Sequence, residues 1–231
     1  SILNVGDSVV FSIDISDAKE TNLLTRISPS TFNGEPLNWR TLDSVTFKGN
    51  YTIAENNTEL ASIQLTGVTY TDLAGNESSA ASSPVISKSI DSKTPVIVSA
   101  TSDATGGGTL TVGETITFTV DITTADGSLT ITPTSYNGQA LNWLTNNGGD
   151  TYVGTYTVTE GETDHKVSYL DLTGIKATDP AGNESNSEDA TVSKYIDANT
   201  PVISNFTATA SDAGSILNVG DSVVFSIDIS D

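Results

Sequence analysis

Apolar and polar residues alternate along much of this chain. Val9, Phe11, Ile13 and Ile15 are each separated by one residue, and Ile116, Phe118, Val120 and Ile122 repeat the pattern. Alternation with period two places every second side chain on one buried face, which is the mark of a strand. No stretch sustains a helical period. Between residues 92 and 197 the pattern predicts seven strands, near 95–100, 115–122, 129–133, 141–145, 152–159, 167–177 and 191–196. Turn-forming runs separate them: Gly106-Gly107-Gly108, Asn137-Gly138, Asn146-Asn147-Gly148-Gly149 and Glu160-Gly161-Glu162. Asn-Gly is a strong hairpin signal because both residues tolerate a left-handed backbone. Seven short strands in about 100 residues is the pattern of an immunoglobulin-like sandwich.

The chain repeats itself. Thr71-Asp72-Leu73-Ala74-Gly75-Asn76 returns as Thr178-Asp179-Pro180-Ala181-Gly182-Asn183, a shift of 107 positions. Each copy is followed by an Asp-x-x-Thr-Pro-Val-Ile segment, starting at Asp91 and at Asp197. Ser1 to Asp17 and Ser215 to Asp231 are identical at all 17 positions, so the repeat unit is 214 residues and holds two diverged halves. The fold class expected is all-β, with tandem immunoglobulin-like Greek-key β-sandwiches arranged end to end. Residues 1–91 form a module without its first strand, 92–197 a complete module, and 198–231 the first two strands of the next. The chain starts in mid-pattern and reads as an excerpt of something longer, its partial modules completed by neighbouring repeats or copies.

Charge narrows the function. There are 29 acids against 9 bases, a net charge of −20. Nucleic acid is excluded as a partner because phosphate neutralisation needs clustered Lys and Arg. An anionic membrane surface is disfavoured for the same reason, and no apolar run is long enough to insert into a bilayer. The absence of cysteine removes disulfides and thiolate metal sites. An enzyme is not expected: His165 is the only histidine, and no nucleophile elbow or phosphate loop occurs.

The acids fall at strand ends. In a seven-strand Greek key, the B–C loop, the F–G loop and the incoming linker meet at one pole. That pole collects Asp121, Asp126, Asp179 and Asn183 with linker residue Asp91. The next junction collects Asp228 and Asp231 with Asp197, and the one upstream Asp14, Asp17, Asp72 and Asn76. Two like charges about 4 Å apart repel by about 4 kcal/mol at an effective dielectric near 20. Such a cluster calls for a cation, and oxygen ligands of this kind suit calcium, which takes six to eight of them. Zinc is a poor candidate with one His and no Cys.

The Gly-Asp/Glu-x-Val/Ile-x-Phe-x-Ile/Val-Asp run, the Thr-Asp-x-Ala-Gly-Asn loop and the Asp-x-x-Thr-Pro-Val-Ile linker resemble the bacterial immunoglobulin-like extender repeats of giant surface adhesins of the repeat-in-toxin type. The resemblance covers essentially the whole chain. It implies secretion to the bacterial surface, calcium at module junctions, and a spacer role in biofilm and cell adhesion. The partners it implies are neighbouring repeats of the same chain and a distal binding domain elsewhere in the parent protein. Asp72, Asn76, Asp91, Asp179, Asn183 and Asp197 match its loop and linker positions. A competing reading is a carbohydrate-binding module using Trp39, Trp143, Tyr136 and Tyr152, although core or turn packing is the expected role of these aromatics.

Overall fold

A computed structural model describes residues 1–16, 26–43, 45–123, 127–145, 150–211 and 213–231. The described residues form strands and turns and no α-helix. Up to the first linker the strands are β1 (Ile2–Leu3), β2 (Ser8–Asp14), β3 (Ile27–Ser28), β4 (Thr31–Phe32), β5 (Glu35–Pro36), β6 (Asn38–Thr41), β7 (Thr46–Thr52), β8 (Thr69–Tyr70) and β9 (Ser89–Ile90). Then follow β10 (Val96–Ser102), β11 (Thr109–Leu110), β12 (Thr115–Thr123), β13 (Thr130–Thr132), β14 (Ser135–Tyr136), β15 (Gln139–Ala140), β16 (Trp143–Thr145), β17 (Thr151–Thr157), β18 (Leu172–Thr178), β19 (Glu188–Ala190) and β20 (Tyr195–Ile196). Past the second linker come β21 (Val202–Ala210) and β22 (Val223–Ser230).

Strand order identifies the fold. One sheet runs β10-β12-β17-β16 and another β13-β18-β19. In chain order these are strands A-B-E-D and C-F-G, the division of an immunoglobulin-like sandwich. The first ninety residues repeat it in part as β2-β7-β6 (B-E-D) and β3-β8 (C-F). The short strands β1 and β11 pair in parallel with β9 and β20, where the chain leaves each sandwich. The ribbon β21-β22 supplies strands A and B of a third copy.

Matching residues build matching cores. Phe11, Phe32 and Tyr51 pack edge to face with ring centroids 5.2 and 5.1 Å apart, and Phe118, Tyr136 and Tyr156 do so at 5.0 and 4.9 Å. Edge-to-face packing sets the positive rim of one ring on the negative face of the next. The hairpin turns form as expected, with Asn33 and Gly34 at φ 49° and 87°, and Asn137 and Gly138 at 45° and 80°. The two Asn side chains also support the core: each Nδ2 donates to a tyrosine hydroxyl, Tyr51 or Tyr156, at 3.1 Å.

Three expectations need correction. Strand F starts at Leu172, not 167, and Val167 is 94% exposed. Its partner β13 ends at Thr132, before Pro133, which has no N–H to extend the ladder. Strand G is split into Glu188–Ala190 and Tyr195–Ile196 rather than running over 191–196. The tryptophans lie half-buried at the sheet margin instead of in the core centre. Trp39 stands opposite Gly49 and Trp143 opposite Gly154 in the register. A Cβ on Gly154 would come within 2.9 Å of the Trp143 ring, so each indole covers a glycine in the neighbouring strand. The expected turn at 146–149 lies outside the described residues.

By packing, the chain divides into two compact units. One comprises Ser1–Ser99, Asp121–Thr132 and Lys176–Glu188, the other Ala100–Val120, Pro133–Ile175 and Asp189–Asp231. The Asp179 loop thus belongs to the same unit as residues 1–99.

Candidate functional site

The Thr-Asp-x-Ala-Gly-Asn motif folds into a closed turn. Asp179 N–H donates to the Asn183 carbonyl at 3.1 Å, and Gly182 N–H to the Asp179 carbonyl at 3.1 Å. The Asp179 side chain fills the turn. Its Oδ1 accepts the N–H groups of Ala181, Gly182 and Asn183 at 2.9, 2.8 and 2.9 Å, and its Oδ2 accepts Asn183 Nδ2–H at 2.8 Å. Gly182 sits at φ 100°, a conformation that a side chain disfavours. The first copy closes in the same way. Asp72 accepts Asn76 N–H and Nδ2–H at 2.7 and 2.8 Å, and these bonds, the side-chain one foremost, hold its carboxyl below the usual carboxylate range.

The copies differ in what covers them. Asn76 is exposed, whereas Asp179 and Asn183 are 6% and 4% exposed. Segments from before and after the first sandwich close over the second copy. Asn183 Oδ1 accepts Val5 N–H at 2.9 Å. Asn183 Nδ2 also lies 3.4 Å from each of Asp91 Oδ1, the Asp91 carbonyl and the Lys93 carbonyl. Gly182 approaches so closely that a Cβ there would sit 3.1 Å from Asn4 Nδ2. Just beyond the loop, Asn186 Oδ1 accepts Ile97 N–H at 3.0 Å.

The linker is held from its other side as well. Asp91 N–H donates to the Leu3 carbonyl at 2.9 Å, continuing the β1-β9 ladder. Asn56 N–H donates to the Ser92 carbonyl at 2.8 Å, and Ser92 Oγ donates to the Asn57 carbonyl. Glu55 then takes both donors of Thr94: its Oε1 accepts Thr94 N–H at 3.0 Å and its Oε2 accepts the hydroxyl. The second linker is clamped alike. Glu160 accepts Thr200 N–H at 3.0 Å and its hydroxyl at 2.9 Å, while Gly161 N–H donates to the Ala198 carbonyl at 2.8 Å. The sequence pattern places Glu160 in a turn without giving it the linker threonine, and Glu55 holds the matching position in the first half. The available signal was the joint recurrence of a turn glutamate and a Thr before each linker proline.

The second linker gathers its acids around a lysine. Lys166 Nζ lies 3.2 Å from Asp164 Oδ2, Asp197 Oδ1 and Asp231 Oδ2 alike. These carboxylates, Asp164 first, push the ammonium group above its usual value. Asp164 also accepts Ala198 N–H at 2.7 Å, the main reason its carboxyl is held below the usual range. At the first linker the corresponding ion pair is Lys93 with Glu59, at 2.9 Å.

The other expected ligands lie as follows. Asp14 accepts the Thr46 hydroxyl at 2.9 Å, and Asp121 the Ser99 hydroxyl at 2.9 Å. Asp228 accepts Asn205 Nδ2–H at 3.2 Å. Asp17 and Asp126 lie outside the described residues. The structure thus brings together Asp91, Asp179 and Asn183 at the first linker, and Asp197 and Asp231 at the second.

The calcium implied by the family resemblance would have to draw on this donor set. Four oxygens converge near Asp91 and Asp179, of the hard type that calcium prefers. They converge on Asn183 Nδ2, so an amide hydrogen donor holds the place an ion would take. Asp179 Oδ1 already accepts three N–H groups. Among the described residues no group of three or more His, Cys, Asp or Glu side chains is arranged to hold a metal. As arranged, these residues do not fit the ion. At the second linker the ammonium group of Lys166 stands among the acids, and at the first the oxygens face amide hydrogens.

The aromatics of the competing reading are accounted for by packing. Tyr136 and Tyr152 are buried, and the indole N–H groups of Trp39 and Trp143 donate to the carbonyls of Pro29 and Pro133 at 3.2 and 2.8 Å. His165 hydrogen-bonds Asn137 through Nε2 at 3.2 Å and pairs with Ile196 through its backbone.

No protein-family model matches the chain, and no curated protein matches it by sequence. Solved structures similar to it include an I-band fragment of titin, at 11% identity and a TM-score of 0.41, covering 98% of this chain and 72% of that one. Another is a titin tandem of immunoglobulin domains, at 13% identity and a TM-score of 0.26, covering 85% of this chain and 92% of the other.

Proposed function

We propose that this chain is a spacer: tandem immunoglobulin-like modules that extend a bacterial cell-surface adhesin and hold a distal binding domain away from the cell. The observation that carries this reading is the linker. Asp-x-x-Thr-Pro is a short segment that would otherwise be a hinge, yet Glu55 grips Thr94 on one side and Asn183 meets Asp91 on the other. Glu160 repeats the grip on Thr200. A spacer needs joints that do not flex, and repeats add length unit by unit. Neighbouring modules of the same chain are the partners, and the role requires no catalysis.

A second reading makes calcium the stiffening agent. Four oxygens facing one NH₂ group, which has only two hydrogens, favour it, since an ion could use them all if Asn183 turned away. Limited proteolysis at the linker and small-angle scattering, in calcium and then in a chelator, separate the readings. A profile and a cleavage rate indifferent to calcium, with both altered in Glu55→Gln/Thr94→Val, match the hydrogen-bonded clamp. A profile that changes on chelation matches calcium. Linker cleavage as fast as that of an unstructured peptide under both conditions would sink the spacer reading.

A further inference from the structure

We propose that Tyr169 and Tyr195 form a modification site, where one-electron oxidation joins the two rings as dityrosine and staples strand β20 to the segment beside it. The rings lie against each other, with centroids 4.7 Å apart and planes inclined at 37°. That is close to the separation of two directly bonded phenyl rings, which are likewise twisted out of one plane. The hydroxyl groups meet as well. The charge of the Tyr195 phenol foremost, then burial and a hydrogen bond to Tyr195, push the Tyr169 hydroxyl above its usual value. Phenols couple through the ring carbons next to the hydroxyl, so a pair that meets at its hydroxyls holds the reacting carbons near each other.

Both rings are fixed through their own backbone neighbourhood. Tyr195 pairs with Thr109, and its N–H donates to the Gly108 carbonyl at 2.9 Å. After Tyr169 comes Leu170, whose carbonyl accepts the Tyr136 hydroxyl, and then Asp171, whose Oδ1 accepts Val192 N–H at 2.8 Å. The pair is peculiar to the second half. Leu170-Asp171-Leu172-Thr173-Gly174 repeats Ile63-Gln64-Leu65-Thr66-Gly67, so Tyr169 and Tyr195 stand where the first half has Ser62 and Ser89. Val167-Ser168 is inserted just before Tyr169.

An oxidant reaches this pair before the other aromatics. Tyr169 is 44% exposed. A second tyrosine pair, Tyr136 and Tyr156, is buried, meets edge to face at 73°, and donates its hydroxyls to the Leu170 carbonyl and to Glu162. Trp39 and Trp143 are half-buried, with their N–H groups bonded to carbonyls. Cys and Met, which oxidise readily in other proteins, do not occur in the chain. In the reaction each phenol gives up one electron and its hydroxyl proton. The two phenoxyl radicals join through their ortho carbons, and the hydrogens on those carbons move to the oxygens, restoring both hydroxyls. The sum is the loss of two hydrogen atoms, which one molecule of hydrogen peroxide takes up in forming two of water, with a haem peroxidase carrying the electrons. The new bond ties the exposed segment at 167–171 to the strand that leads into the second linker at Asp197, and a cross-link of this kind stabilises by restricting the unfolded chain.

The test is to treat the full chain, at low concentration, with a haem peroxidase and hydrogen peroxide. Dityrosine fluorescence is expected in a chain that stays monomeric on a denaturing gel, has lost the mass of two hydrogens and melts at a higher temperature. Trypsin cuts after Lys166, Lys176 and Lys194, so the digest is expected to contain peptide 167–176 joined to the peptide that begins at Tyr195. Coupling of Tyr136 to Tyr156 would instead fall within the single peptide 94–166. Tyr169→Phe and Tyr195→Phe keep the rings and are each expected to lose the joined product and the rise in melting temperature. Cross-links confined to peptide 94–166, dityrosine formed only between chains, equal fluorescence in Tyr169→Phe, a coupled chain that melts no higher, or no dityrosine at all overturns the proposal.

Discussion

Replacing Asn183 by alanine removes the side chain on which the first linker converges. Two of its hydrogen bonds are short: the one accepted from Val5 N–H at 2.9 Å and the one donated to Asp179 Oδ2 at 2.8 Å. The three contacts at 3.4 Å add little. A neutral bond of this kind contributes about 1 kcal/mol and a bond to a carboxylate about 2 kcal/mol. Asn183 is 4% exposed, so the groups it leaves behind lie in a partly closed place, and the expected loss is about 3 kcal/mol. The loss is local, so the assay should be local. Hydrogen exchange of the Val5 amide, which becomes a donor without an acceptor, is expected to speed up about a hundredfold, taking about 1.4 kcal/mol per factor of ten. Asn76→Ala is the matched control, because Asn76 makes the same bonds within its turn but is exposed. It should leave Val5 unchanged. If both variants alter Val5 exchange equally, or neither does, Asn183 acts only inside its own turn and the linker is not anchored by it.

Other substitutions probe neighbouring steps. Gly75→Ala and Gly182→Ala both force a side chain into a left-handed backbone, at φ 92° and 100°, and each should lower stability in urea unfolding by about 1–2 kcal/mol. Only Gly182→Ala also presses on Asn4 Nδ2, so it alone should speed exchange at Val5. Glu162 donates nothing: its Oε2 accepts the Tyr156 hydroxyl, while its Oε1 is buried with no partner among the described residues. Glu162→Gln removes the charge and keeps the bond to Tyr156, and a gain of about 1 kcal/mol in urea unfolding is expected. A loss there would mean that the carboxylate is compensated.

The fold was legible where one face of a strand is buried and the other is not. Strand β12 shows this best, with Ile116, Phe118, Val120 and Ile122 all within 1% of full burial. The alternation at 167–171 looks the same on paper but has no paired strand among the described residues, because β13 has ended at Thr132, and pairing with a remote strand is not written in local periodicity. The site was legible as a location. Turn chemistry marked both Thr-Asp-x-Ala-Gly-Asn loops, and topology sent one of them to the linker. Its chemistry was less legible, because Asp and Asn read equally as oxygen ligands. Which end of the Asn183 amide faces Asp179 depends on the three-dimensional position of Val5 N–H, 178 residues away. The convergence of Asp164, Asp197 and Asp231 on Lys166 was hidden likewise, since Lys166 has Ala61 as its counterpart in the first half.

That lysine allows the charge argument to be tested directly. Acids brought together need a positive partner, and at the second linker the partner is covalently part of the chain. Lys166 is raised above its usual value near 10.4, chiefly by Asp164. Its contribution is therefore complete below about pH 10.4 and is lost as pH rises through the higher folded value. Asp164 is lowered below its usual value near 3.9, chiefly by Ala198 N–H, so its contribution is present above about pH 3.9 and is lost as pH falls through the lower folded value. Melting temperature should thus have a plateau between these limits with one limb at each end. Lys166→Met should lower the plateau, keep the acid limb and weaken the alkaline one, to which the buried hydroxyls of Tyr136 and Tyr156, raised by burial, also contribute. It also leaves Asp164, Asp197 and Asp231 facing one another without the ammonium group. Calcium should then raise the melting temperature of Lys166→Met more than that of the unsubstituted chain, because only the variant lacks a resident cation. If calcium stabilises the unsubstituted chain as strongly, the lysine is not the ion's substitute, and the acids of this linker have a calcium site of their own.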